Sequence, residues 1–167
     1  GERGLKVLDL YSGGGLFALP AAARGHHVTA VEDSRKSIKD AELKDKVNVA
    51  FKQFPLSFHK DARPAAKAAL AARDLGGDAK FWEMGDKLYA NQKALTAENF
   101  VTWAKEIGLD AGKFEKALKD NDAKYEEVIK KDSELGSTEA KVRGTPSLFV
   151  NGWELRQRSV DGVKALI

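Results

Sequence analysis

The residues that could do chemistry cluster near the start of the chain. Gly13-Gly14-Gly15-Leu16-Phe17-Ala18 fits G-x-G-x-x-A directly after a short apolar run. Glycines placed there let backbone N–H groups approach a ligand, and the helix that follows turns its electropositive end toward a phosphate or carboxylate. Asp9 lies in the apolar run ahead of the loop. Glu32 closes the next β-branched run, where an acid can accept hydrogen bonds from ribose hydroxyls. The chemistry so marked is the holding of a nucleotide-type cofactor. A second pattern, far away, is the Thr145-Pro146 loop within "VRGTPSLFVNG".

Other constellations are weaker. His26 and His27 are adjacent, and neighbours in a strand point to opposite faces, so they do not share one metal ion. No metal site is expected. His59 and Asp61 read as a helix start rather than as part of a hydrolytic triad, because no serine sits in a nucleophile elbow. Cysteine is absent, which excludes disulfides, thiolate metal sites and thiol–disulfide exchange by this chain. No catalytic residue is therefore assigned.

The elements that must position these residues alternate at first between strand and helix. Residues 6–11 read as a strand, 16–24 as a helix, 27–32 as a second strand, 34–44 as a polar helix and 47–51 as a third strand. Strands separated by helices imply a parallel sheet. From 58 to 141 the pattern is helical. An alanine-rich helix has Pro64 near its start, is broken at Gly76-Gly77 and restarts with Asp78 as cap. Thr96 caps another helix, and Leu109 and Phe114 flank Asp110 at the spacing of a hydrophobic staple. Phe81, Trp82, Tyr89, Phe100 and Trp103 have helical spacing and read as core before groove. The run "KALKDNDAKYEEVIKKDSE" reads as a solvated helix face. Strands return at 147–150 and 153–157, joined by the hairpin dipeptide Asn151-Gly152, and Ser159 caps a short last helix.

The whole chain has 167 residues, 43% hydrophobic and 32% charged, enough for one compact α/β unit with a helical insertion. Net charge is +3, with Lys and Arg interleaved among Asp and Glu, so no nucleic-acid partner is expected. No apolar run approaches the roughly 20 residues of a membrane span, and no signal peptide is read. Recombinant soluble expression as a monomer, with no required partner, is the expectation.

Two resemblances follow from these residues. "VLDLYSGGGLFALPAAARGHHVTAVE" resembles the first β-α-β unit of class I S-adenosylmethionine-dependent methyltransferases, the RNA uracil-5 type in particular, over roughly residues 1–40. That resemblance implies Asp9, Gly13 and Gly15 near the methionine end of the cofactor and Glu32 at the ribose. The family's adenine motif and its Pro-Cys loop are missing. "VNVAFKQFPLSFHKDARPAAKAALAARD", "FWEMGDKLYANQKALTAENF" and "VRGTPSLFVNG" resemble the DsbA-like branch of the thioredoxin superfamily over roughly residues 46–167. That resemblance implies a cis Thr145-Pro146 peptide facing the redox loop. Where that family carries Cys-x-x-Cys, this chain has either "SGGG" or "DSRK".

The expected fold class is α/β: a thioredoxin-like (DsbA-like) mixed sheet with an inserted helical subdomain and a Rossmann-like β-α-β segment at the N-terminus. The sheet domain takes 1–56 and 142–167, and the inserted helices take 57–141. The preferred strand order is third, second, first, then the hairpin. The alternative places residues 6–11 at the far edge beside the third strand. Two incomplete parents joined between residues 33 and 46 imply an engineered chimera whose function is to fold. The alternatives are a binder of S-adenosylmethionine or a nucleotide through the SGGG loop, and a weak peptide-binding module at Thr145-Pro146.

Overall fold

The computed structural model describes residues 6–11, 48–145, 147–150, 152–156 and 165, with the backbone alone for 6–11, 48 and 49. Four strands form one mixed sheet: β1 (Lys6–Tyr11), β2 (Asn48–Gln53), β3 (Ser147–Val150) and β4 (Trp153–Glu154), in the order β2-β1-β3-β4. Val7, Leu8, Leu10 and Tyr11 give β1 the apolar content of a strand with neighbours on both edges. It runs parallel to β2 over its whole length, from Lys6 against Asn48 to Tyr11 against Gln53. On its other edge it meets β3 antiparallel, Asp9 against Leu148 and Leu10 against Ser147. β4 returns from β3 with Val150 against Trp153, across the expected two-residue hairpin turn.

This order corrects the preferred one. β1 is central, as preferred, but its partner is the third strand of the sequence reading, with nothing interposed. The expected pairing of β1 with residues 27–32 gives way because β2 and β3 take both of its edges. The segments 16–24, 27–32 and 34–44, and the cap at Ser159, lie outside the described residues.

Four helices join β2 to β3. Helix α1 (Ala62–Ala90) begins at Asp61 and carries Pro64 in its first turn, where the missing N–H has no helical acceptor to lose. Seven of its alanines, from Ala62 to Ala72, are buried, so small side chains bring its backbone close to its neighbours. The expected break at Gly76-Gly77 is a kink: Gly77 takes φ 73° and ψ −168°, a conformation open in practice to glycine alone, and the helix resumes at once. Asp78, expected as a cap, instead accepts from Arg73 Nε at 2.7 Å across the kink.

Helix α2 (Ala97–Glu106) starts as the sequence indicates, with the Thr96 hydroxyl accepting from the Asn99 N–H at 3.3 Å. It closes with Leu109 N–H on the Ala104 carbonyl at 2.8 Å and Gly108 at φ 82°. In α3 (Ala111–Asp120), Asp110 accepts from the Lys113 N–H at 2.7 Å. Helix α4 (Asp122–Thr138) follows with Asn121 as the only joint. Phe81, Met84, Leu88, Phe100, Trp103, Phe114, Tyr125 and Ile129 fill the core between these helices, so three of the five aromatics read as core are buried, and Trp82 and Tyr89 pack against it half-buried.

Polar groups lace α1 to α4. Arg63 pairs with Glu126 at 3.0 Å, Lys124 with Asp74 at 2.6 Å, and Lys67 with both Asp122 and Glu126. Burial works against the Lys67 charge, but the hydrogen bonds it donates to those two carboxylates outweigh it and hold the ammonium above its ordinary pKa. The buried Tyr125 hydroxyl donates to Asp74 at 3.0 Å. Burial pushes that phenol up, and Asp74 adds to the push against the opposing bond from Asn121.

Candidate functional site

Parallel strands bring their C-terminal ends to the same edge of a sheet, and the crevice outside those ends is where α/β sheets hold ligands. Here Tyr11 and Gln53 close β1 and β2 side by side. Because β3 is antiparallel, its first residue arrives at the same end, with Ser147 against Leu10. Three segments therefore converge: the one leaving Tyr11, the one leaving Gln53, and the loop that delivers Ser147. The Ser147 hydroxyl donates to the Gly144 carbonyl at 2.7 Å and braces that loop. Thr145, half-buried, is its last described residue before the strand. Pro146 lies outside the described residues.

The end of β2 is clasped from the helical side. The Gln53 N–H donates to Asp132 Oδ2 at 2.9 Å, and the Ser133 hydroxyl donates to the Gln53 carbonyl at 3.3 Å. One strand residue points its N–H and C=O to the same side, so α4 side chains stand here where a further strand would. Lys52 pairs with the other carboxylate oxygen of Asp132 at 3.0 Å. Asp132 is 9% exposed, and such a carboxylate is tolerated only because both oxygens are bonded. Sequence reading placed Asp132 on a solvated face. The missed signal is its spacing: Tyr125, Ile129, Asp132 and Gly136 form the buried stripe of α4.

Beyond Gln53 the chain turns through residues 54–59. His59 N–H reaches the Leu56 carbonyl at 3.1 Å, and the Ala62 N–H reaches the His59 carbonyl at 3.1 Å. His59 is thus the turn that starts α1. Its ring lies 4.6 Å from that of Phe58, which is 75% exposed on the loop leaving the sheet's end.

Of the residues expected to hold a cofactor, the backbone of Asp9 sits mid-sheet between Phe51 and Leu148. Gly13, Gly15 and Glu32 lie outside the described residues, as do His26 and His27.

A family model described as thioredoxin matches residues 22–167. The chain belongs to the thioredoxin family. Its fold is that of the DsbA type. BdbD from Bacillus subtilis superposes with a TM-score of 0.67 at 20% identity, covering 98% of this chain and 85% of that one. MdbA, a thiol-disulfide oxidoreductase from Corynebacterium diphtheriae, gives 0.64 at 17% identity, covering 100% of this chain and 85% of its own. Among curated relatives, a Na(+)/H(+) antiporter NhaA 1 from Salinispora arenicola is 36% identical over 113 residues, 66% of this chain. The match spans only 16% of that antiporter's length. A 23S rRNA (uracil(747)-C(5))-methyltransferase from Pyrococcus abyssi is 49% identical over 46 residues, 28% of this chain and 11% of the enzyme.

These likenesses correct the expectation of an engineered chimera without a function. The thioredoxin match runs unbroken through the join placed between residues 33 and 46. The fold likeness to MdbA extends over the whole chain. Its structural neighbours bear the names of thiol-disulfide oxidoreductases and DsbA proteins. The chain carries no cysteine of its own.

Proposed function

We propose that the chain is an oxidoreductase-like domain of the DsbA type whose own residues bind extended polypeptide at the C-terminal end of β1. The observation that carries this is the register of Leu10 against Ser147, which delivers the Thr145 loop to that end beside Gln53. Loop backbone near an open sheet end offers hydrogen bonds to an extended chain, and exposed Phe58 offers an apolar contact on the neighbouring loop. Without cysteine the chain supplies no thiolate, so binding is the part of the family's work that its residues can perform.

The similarity to one-sixth of an antiporter supports a further step: the domain works as a module of a longer protein. Among the described residues no helix is long and apolar enough to cross a membrane.

The test is fluorescence anisotropy with a labelled, carboxymethylated unfolded polypeptide. Saturable binding that Phe58→Ser weakens severalfold supports the reading. Equal binding by the variant, or none by either protein, overturns it.

A second reading rests on the methyltransferase likeness, which favours S-adenosylmethionine on Gly13, Gly15 and Glu32. The sheet order counts against it. A Rossmann-like β-α-β unit sets its second strand, here ending at Glu32, close by its first, and both edges of β1 are committed to β2 and β3. Of that cofactor's expected contacts only the Asp9 backbone is described, mid-sheet between Phe51 and Leu148.

A further inference from the structure

A cavity of about 280 Å³ opens between β2, α1 and α4. It runs along β2 on the helical side from Ala50 to Gln53, and so reaches the sheet end at which polypeptide binding is assigned. Both limbs of kinked α1 line it: Arg73 stands before the Gly76-Gly77 bend, and Asp78 and Trp82 after it. The bend therefore shapes the cavity.

One wall is aromatic. Phe81 and Trp82 lie edge to face at 5.0 Å, and Phe51 meets them at 5.5 and 6.0 Å. A planar ring gains from edge-to-face contact with such a wall. The polar lining is unevenly used. Asp78 accepts from Arg73 Nε at 2.7 Å, and Asp132 accepts from the Gln53 N–H and pairs with Lys52. Both acids are engaged. A guanidinium and an ammonium each carry several N–H donors. Among the described residues, Arg73 spends one on Asp78 and Lys52 one on Asp132. What the cavity has left to offer is cationic donors beside an aromatic wall. Its volume lies just below that of drug-sized ligand pockets, which run from roughly 300 to 1,000 Å³.

We propose that this cavity binds a small aromatic carboxylate, with its ring against Trp82 and its acid group on Arg73 and Lys52. Charge-assisted bonds from two cations would hold the acid, and the small volume limits the ligand to a single ring.

The experiment is a ¹H–¹⁵N NMR titration of the whole chain with benzoate, with benzyl alcohol as the uncharged control. Arg73→Gln is the variant, because Arg73 is mostly exposed and the change leaves the Lys52–Asp132 pair intact. Unchanged resonances across α2 and α3 verify that the variant folds. The expected result is saturable movement of the Trp82 indole N–H with benzoate, about fivefold weaker or more in Arg73→Gln, with benzyl alcohol far weaker. Equal response to the two ligands would make the cavity an apolar void and overturn the proposal. So would benzoate shifts that ignore Arg73→Gln, or no shift at Trp82.

Discussion

Asp132 holds Gln53 by its backbone, 79 residues away in sequence, with the N–H donating at 2.9 Å. Ser133 takes the carbonyl of the same residue. The inserted helices are thereby tied to the end of the sheet where the candidate binding loops leave it. That tie gives the helical block a role in positioning the site as well as in filling the core.

Removing the carboxylate should loosen this end of the sheet. Asp132→Ala is expected to cost about 1.5–3 kcal/mol in urea unfolding, since it deletes a buried charged acceptor and strands the Gln53 N–H. The Gln53 amide should lose hydrogen-exchange protection at the same time. Ser133→Ala, which deletes a longer and partly exposed bond, should cost about 0.5–1 kcal/mol.

Alkaline pH should unfasten α1 from α4. The folded Lys67 holds its proton above the ordinary 10.5, and the folded Tyr125 above the ordinary 10.0. Both groups therefore contribute stability that is fully present below those ordinary values. It is lost as pH rises through the higher folded values, because the unfolded chain releases these protons first. Urea midpoints at pH 8, 10 and 11 should fall most over the last step. Tyr125→Phe should reduce the fall.

The kink has its own signature. Gly77→Ala is expected to cost about 1–3 kcal/mol, because φ 73° with ψ −168° is strained for any side chain. Gly112→Ala, in ordinary helix with its new methyl 3.5 Å from Asp110 Oδ1, should instead gain about 0.5–1 kcal/mol. Thermal unfolding of the two variants side by side measures the contrast.

Much of this was legible in the residues. β1 spans the six residues its apolar run suggested, and Thr96 and Asp110 cap the helices that their side chains announced. These are local effects, set within a few residues. Strand order is not local: any parallel arrangement satisfies the same apolar runs, so only the observed register shows β2 beside β1. Asp132 was missed for a related reason. Its neighbours Lys130 and Lys131 are exposed charges, and composition alone cannot separate one buried carboxylate from a solvated run. At Gly76-Gly77 the residues marked a discontinuity, but whether a chain stops or bends there depends on what both limbs pack against. The loop holding Thr145 was legible through resemblance, and its place at the end of β1 is supplied by the pairing of Leu10 with Ser147.

The sheet order also bears on S-adenosylmethionine. At about 100 times its dissociation constant a bound ligand would add roughly 2.7 kcal/mol of stability. The expected outcome is an unchanged Tm in excess S-adenosylmethionine. A rise that Glu32→Ala abolishes would contradict the argument from the edges of β1.

The most direct measurement is a map of amide chemical shifts as an unstructured, carboxymethylated polypeptide is added. Polypeptide binding at the sheet's end predicts saturable shifts gathered at residues 54–59 and 144–147, with α2 and α3 unmoved. Shifts gathered on the helices instead, or none at saturating polypeptide, would contradict it.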